Sequence, residues 1–482
     1  MEELDIQTIG RRSVKSVGAV ISRQFILYAI SFATSLVLIT FLSPKDLGIY
    51  AVVVAMQSII SFFTDFGLGA ALVQSKNPLT NDDLKTTFTL QTIITFAIFV
   101  VVLILSGPIA GFFKLDAAGV RLLLAFVFTI FLSSFKIIPS ILLERAIKFE
   151  KLVIPHIAEA VIYNAVLIVL VLQGLRLDAY FWAVLLAGIG GIPFYYFISF
   201  WKISFGIKRS SIHHLHYGVQ FQAKNILATV KDDLLTVMLA KFLPFASLGY
   251  INTAQGFAFY PFRFVTDSVT KVTFSTYARI QGHEGHTRTA IEKSLFFVSG
   301  IMFPLMLGLI LTGPYFIHFI PKWHAKWEPA IVSLVFFSLN AMVSSLSNVL
   351  INVLDASGKV KTTLQLMVVW TFLTWFLTLA LIKVYGYNGV AIASFIVTLT
   401  IVFTVYLVKK IVKFDFFKSI YKPTISSLVM VAVTVSLTKL FVSNIPTLIV
   451  TIIIAGLVYA GSLYLLSGKE LKEDFRFIFP KV

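Results

Sequence analysis

Long apolar runs, each closed by charge or by Gly and Pro, follow one another along the chain with little between them. A helix needs about 20 mostly apolar residues to cross a bilayer. Fourteen runs meet that measure, over approximately 17–42, 47–73, 85–107, 119–143, 152–173, 179–201, 217–241, 247–276, 288–312, 328–353, 362–382, 388–408, 424–442 and 446–466. The pattern predicts an all-α polytopic membrane protein of about 14 transmembrane helices, numbered here as spans 1 to 14. The connections are short, about ten to twelve residues at most, so no large soluble domain is expected. The opening stretch "MEELDIQTIGRRSVKS" is polar and places acids before its basic residues. It lacks the short apolar core and small-residue cleavage site of a signal peptide, so the first run is expected to remain as a span.

An even number of spans puts both ends on one side, and the basic residues say which. The N-terminus, the even-to-odd loops and the C-terminal tail hold 25 of the 40 Lys and Arg, whereas the other seven loops hold 9. Basic residues are retained on the cytoplasmic side, so both termini are expected to be cytoplasmic. A missed or spurious span would scramble this alternation.

Composition agrees. Apolar residues make up 58% of the 482 residues, charged residues 13%, and mean hydropathy is +0.90. Soluble domains run at roughly 45–50% apolar and about 25% charged. The net charge of +17 then reflects cytoplasmic basic loops rather than a nucleic-acid partner. No Cys is present, which excludes disulfides and thiolate metal sites.

The chain repeats itself. "FLSPKDLGIY" (Phe41 to Tyr50) is echoed by "FLPFASLGYI" (Phe242 to Ile251) at an offset of 201, and "FFTD" (Phe62 to Asp65) by "FVTD" (Phe264 to Asp267) at 202. Short apolar strings match by chance in such a chain, but the second echo contains Asp, which is rare here. The two turns open spans 2 and 8. Six spans separate them, so the copies share an orientation. The expectation is a parallel repeat of two six-helix lobes about an axis along the membrane normal, an arrangement that places a transporter's substrate between the lobes. The division is then an N-lobe over 1–205, a cytoplasmic loop over 206–216, a C-lobe over 217–413, and spans 13 and 14 with a tail over 414–482.

"FLSPKDLGIYAVVVAMQSIISFFTDFGLGAALVQ" resembles the opening of bacterial polysaccharide transporters, the Wzx-type flippases of the multidrug/oligosaccharidyl-lipid/polysaccharide exporter superfamily. "IPSILLERAIKFEK", "DDLLTVMLAKFLPFASLGYINTAQ" and "NVLDASGKVKTTLQL" resemble segments of the colanic-acid-exporter branch, and the resemblance extends over residues 10 to about 415. It implies a central cavity and movement of an undecaprenyl-pyrophosphate-linked oligosaccharide from the cytoplasmic to the periplasmic leaflet. It further implies the bacterial inner membrane as location, a polysaccharide polymerase and a chain-length regulator as partners, and no enzymatic activity.

Chemistry independent of the resemblance lies in the charges inside spans. A basic residue at a helix centre costs roughly 2.5–3.5 kcal/mol. Arg23, Lys136, Lys224, Lys231, Arg263 and Lys271 facing lipid would together cost about 15–20 kcal/mol. They are expected to pair, to snorkel as Lys224 can, or to line a wet cavity. Lys224 and Lys231 share a face of span 7. Arg263, Asp267 and Lys271 form an i, i+4, i+8 stripe on span 8; Gln57, Ser61 and Asp65 form one on span 2. Ser133 and Lys136 lie three apart on span 4, and His156, Glu159 and Tyr163 share a face of span 5. Spans 11 to 14 carry almost no buried charge.

A cationic cavity suits a diphosphate. Arg23 and Arg263 are the leading candidates to hold it, since a guanidinium binds phosphate oxygens through parallel hydrogen bonds, with Lys224, Lys231, Lys136 and Lys271 behind them. The resemblance adds that related flippases use basic residues on spans 1 and 8. The competing structural pairings are Arg263 with Asp267, and Lys231 with Asp232 or Asp233. Asp65, Asp267 and Glu159 are either sites for a coupling H⁺ or Na⁺ or counter-ions to nearby bases. Tyr28, Tyr163, Asn164, Asn252, Gln255 and Tyr260 are candidates to contact the sugar, against a plain interhelical role. Pro139 and Pro261 are candidate bending points.

The stretch "HHLH" (His213 to His216) has no matching acid or Cys nearby and reads as a loop facing lipid headgroups rather than a metal site. No Walker A motif is present, and no cofactor beyond a coupling ion is expected. Two rivals remain open. A multidrug or small-cation antiporter would favour an acidic cavity. A membrane polymerase, ligase or glycosyltransferase would need a sizeable extramembrane loop.

Overall fold

The computed structural model describes residues 6–64, 69, 72–73, 79–208, 229–280 and 282–478. Among the described residues there are helices and no strands, as the run lengths predict. The helices are α1 (Ile6–Phe41), α2 (Pro44–Thr64), α3 (Asn81–Phe113), α4 (Ala117–Arg145), α5 (Phe149–Leu172) and α6 (Leu177–Ile198). After a π-helical turn (Val230–Leu234) come α7 (Leu235–Phe242), α8 (Phe245–Arg279), α9 (Glu284–Phe319), α10 (Ile331–Ala356) and α11 (Val360–Tyr385). The last are α12 (Asn388–Thr398), α13 (Ile401–Lys409), α14 (Phe416–Leu440) and α15 (Ile445–Ile478). Polar residues set the starts. The Thr80 hydroxyl accepts from the Asp83 N–H while the Asp83 carboxylate accepts from the Thr80 N–H, a reciprocal cap on α3. Asp116 and Asp415 cap α4 and α14.

Twelve described helical segments are long and apolar enough to cross a membrane, and the chain is a multi-pass membrane protein. The expected fourteen include two more. Residues 217–228 of span 7 lie outside the described residues, as do Lys224 and the His213–His216 stretch. Span 8 corresponds to α8, whose 35 residues exceed the required length but whose polar stripe dilutes its apolar content.

The described residues form two compact units, Met1–Gly249 and Tyr250–Val482. In the first, α5 packs against α1 and α6, and α4 against α2, α3 and α6. Leu72, Leu84, Phe88, Ile138, Ile141 and Trp201 form a core there. The π-helical turn and α7 lie against α2. In the second unit α9 packs on α10, α14 and α15, and α10 on α11, α12 and α13. The Tyr459 hydroxyl on α15 donates to the Gly300 carbonyl at 2.6 Å and ties the last helix to α9.

Lipid tails are as apolar as Leu, so close packing and hydrogen bonding hold such helices together rather than exclusion of water. Several buried hydroxyls are satisfied within their own helices: Ser299 donates to the Leu295 carbonyl, Ser338 to that of Leu334 and Thr434 to that of Met430, each at 2.7 Å. Val368, Val369, Phe372 and Phe376 stand exposed on α11, and Phe96, Ile104 and Phe112 on α3, as residues facing lipid do.

The two copies of the repeated turn touch, within the first unit. A Cβ on Gly48 would lie 1.7 Å from the Phe245 carbonyl oxygen, and a Cβ on Gly249 1.8 Å from that of Pro44. The offset of 201 that carries Gly48 to Gly249 also carries Pro44 to Phe245. The contact is therefore exchanged by the repeat, as in an isologous interface. Only Gly lets the backbones approach this closely. The side chains are not symmetric. Asp46, replaced by Ser247 in the second copy, accepts from the Ser43 N–H at 3.1 Å and hydroxyl at 2.6 Å, and from Arg176 Nη2 at 3.0 Å.

Candidate cationic site on helices α1, α4, α5 and α6

The expected face of α5 forms and reaches three neighbouring helices. Glu159 pairs with Lys136 of α4. The His156 ring lies edge-on to Tyr195 of α6, 6.0 Å between centroids. The Tyr163 hydroxyl lies 3.5 Å from that of Tyr50 on α2, and Tyr50 in turn stacks on Tyr180 of α6 at 4.1 Å. The spacing of 156, 159 and 163 puts these groups on one side of α5. Their separate partners lie on α4, α6 and α2.

Lys136 and Glu159 are mostly sheltered, with side chains 14% and 24% exposed. The Lys136 ammonium also lies 5.9 Å from the Tyr195 ring centroid, within reach of a cation–π contact. Gly191 on α6 makes room for the carboxylate: a Cβ there would lie 2.0 Å from Glu159 Oε1. Arg23 of α1 is half-buried, and its charge acts on both His156 and Tyr195. Its Nε is buried without a hydrogen-bond partner among the described residues. Arg23 and Lys136 thus belong to one cluster with His156, Glu159 and Tyr195. The sequence reading missed Tyr195 and Gly191. Their signal was the Gly-Gly pair ahead of Pro193 and Tyr195 on span 6, which marks a close helix approach.

The other candidates are placed as follows. Lys231 lies on the π-helical turn and donates to Asp232 at 2.5 Å, while Asp233 accepts from the Ser58 hydroxyl of α2 at 2.6 Å. One of the two structural pairings considered for Lys231 is therefore present. Gln57 donates to Ser61 at 3.0 Å, and Asp65 lies outside the described residues. Asn164 is buried and its amide donates to the Ala160 carbonyl of its own helix at 2.7 Å. Tyr28 on α1 and Tyr260 on α8 are half-buried. Also on α8, Asn252, Gln255, Arg263 and Asp267 are exposed, and the side chain of Lys271 lies outside those described. Pro139 and Pro261 sit inside α4 and α8. In the segment after α6, Lys208 donates to Asp82 at 2.8 Å, and this bond and the charge of Asp82 hold its ammonium above the usual Lys range.

Residues 37–332 match the family described as "Polysaccharide biosynthesis protein". The chain is 22% identical over 346 residues to an uncharacterized membrane protein in the cps region of Klebsiella pneumoniae, covering 69% of this chain and 68% of that one. It is 28% identical over 160 residues to the lipopolysaccharide biosynthesis protein WzxC of Escherichia coli K12, covering 33% and 32%. Among solved structures, the lipid II flippase MurJ in an inward closed conformation matches with a TM-score of 0.75 at 18% identity, over 94% of this chain and 99% of that one. An inward-facing multidrug MATE-family transporter matches with a TM-score of 0.62 at 13% identity, over 82% and 98%. At these identities the structures speak for the fold alone, which this chain shares with both.

Proposed function

We propose a function from this premise: the chain belongs to the polysaccharide biosynthesis protein family. It is a flippase that carries an undecaprenyl-pyrophosphate-linked oligosaccharide from the cytoplasmic to the periplasmic leaflet of the bacterial inner membrane by alternating access. Both termini face the cytoplasm. No covalent bond of the substrate changes, a polysaccharide polymerase and a chain-length regulator act beside it, and H⁺ or Na⁺ supplies the coupling.

The observation that carries this reading is the mixed cluster on α1, α4, α5 and α6. Of its two cations, Lys136 is mostly sheltered and paired with Glu159, and the half-buried Arg23 has a buried Nε–H that is unused among the described residues. Basic groups inside a membrane span mark substrate or ion sites. An Arg fork and a Lys point charge together suit a diphosphate.

The test is translocation in liposomes. Purified protein should move a fluorescent lipid-linked sugar between leaflets without altering it, and Arg23→Gln should lower the rate about tenfold or more, since a charge-assisted hydrogen bond is worth roughly 1.5–3 kcal/mol. Full transport by well-folded Arg23→Gln protein would remove the cluster from the substrate path. A covalently changed product would point to an enzyme.

A further inference from the structure

Within the cluster, a carboxylate holds one of the two cations. Glu159 takes the Lys136 ammonium as its partner. The α6 backbone opens a recess for it at Gly191, where a Cβ would meet Oε1 at 2.0 Å and Cγ at 2.4 Å. Arg23 acts on the same two rings, His156 and Tyr195, that line this place. A carboxylate oxygen and a phosphate oxygen are equivalent acceptors for an ammonium. The two cations Arg23 and Lys136 match in number the two negative charges of a prenyl-diphosphate sugar diester, and an ionised Glu159 offsets one of the cations. Neutralising Glu159 would balance the two.

We propose that Glu159 is a built-in stand-in for the substrate's phosphate: it holds Lys136 in the ligand-free protein, and it yields Lys136 to an incoming diphosphate while taking up one proton. This rests on the flippase reading above. The exchange balances: one proton passes from solvent to the Glu159 carboxylate, Lys136 stays an ammonium and swaps a carboxylate oxygen for a phosphate oxygen, and no covalent bond of the ligand is made or broken. Binding of the anionic ligand and of the proton are thereby linked, each favouring the other, so this proton moves with the ligand and offsets its charge; it is not the ion whose inward flow drives export. Among the described residues, Lys136 of α4 pairs with Glu159, Arg23 of α1 and Glu144 of α4 act on the neighbouring Tyr195 of α6, and His156 shares the face of α5. His156 also gains a proton as pH falls, so its contribution must be separated.

The experiment is calorimetric titration of the purified full-length protein in detergent with a geranyl-diphosphate-glucose diester, which has no exchangeable proton near neutrality. Measurement in two buffers of different ionisation enthalpy reads the protons taken up per ligand bound. Wild type and His156→Asn should each take up about one proton. Glu159→Gln should take up none and bind about tenfold tighter, because the competing charged bond is gone. Should Glu159→Gln alone not fold, the paired Lys136→Gln, Glu159→Gln variant removes both charges; it should bind more weakly than wild type and take up no proton. Uptake persisting without Glu159, or wild-type binding with no uptake, overturns this inference and leaves the flippase reading standing. No binding by wild type overturns both.

Discussion

Two stripes of similar spacing lie in different surroundings. On α5, Glu159 meets Lys136, His156 meets Tyr195, and Tyr163 meets Tyr50, so each group on that face is met by a residue of another helix. On α8, Arg263 and Asp267 are exposed. Helical periodicity puts like groups on one face in both cases, but it is silent about what that face meets. Where neighbouring helices close over a charge, its partner becomes part of the packing. Where they do not, the charge can change with little effect on the fold.

Three substitution sets test this contrast, from the largest expected effect on stability to the smallest. Lys136→Met leaves Glu159 without its cation. Breaking a fully buried pair costs about 3–5 kcal/mol; with the Glu159 side chain 24% exposed, about 2–3 kcal/mol is expected, read as a lower thermal midpoint in detergent. An unchanged midpoint would mean that the pair is not structural. Gly191→Ala sharpens the point, because its methyl would occupy the carboxylate's recess. Overpacking of this kind costs about 1–3 kcal/mol. Combined with Lys136→Met the effect should be less than the sum, since both act on one pair. Arg263→Gln on α8 should shift stability by less than about 0.5 kcal/mol, the range for exposed sites. A loss as large as that of Lys136→Met would show that the two stripes are held alike and would break the comparison.

A further variant tests the repeated turn. Gly48→Ala and Gly249→Ala should each destabilise by about 1–3 kcal/mol, and by similar amounts, because the contacts they spoil are exchanged by the repeat. A large effect from one and none from the other would mean that the symmetry lies in the sequence alone.

The sequence by itself determined that this is an all-α chain of membrane spans, because a run long enough to cross a bilayer is a local property and so is the helical face a residue shares with its third and fourth neighbours. It also determined the family resemblance and showed that one turn is written twice. Arg23, Lys136 and Glu159 were legible as charges too costly to leave facing lipid. Only the tertiary structure decided which charge meets which. Lys136 and Glu159 are separated by a whole interhelical turn, and Gly191 is distant from both in sequence, so their meeting depends on how α4, α5 and α6 pack. The same holds for the glycines of the repeated turn. Their identity could be read 201 residues apart, but that Gly48 rests on the Phe245 carbonyl and Gly249 on that of Pro44 is set by the close approach of two helix starts, which no local pattern encodes.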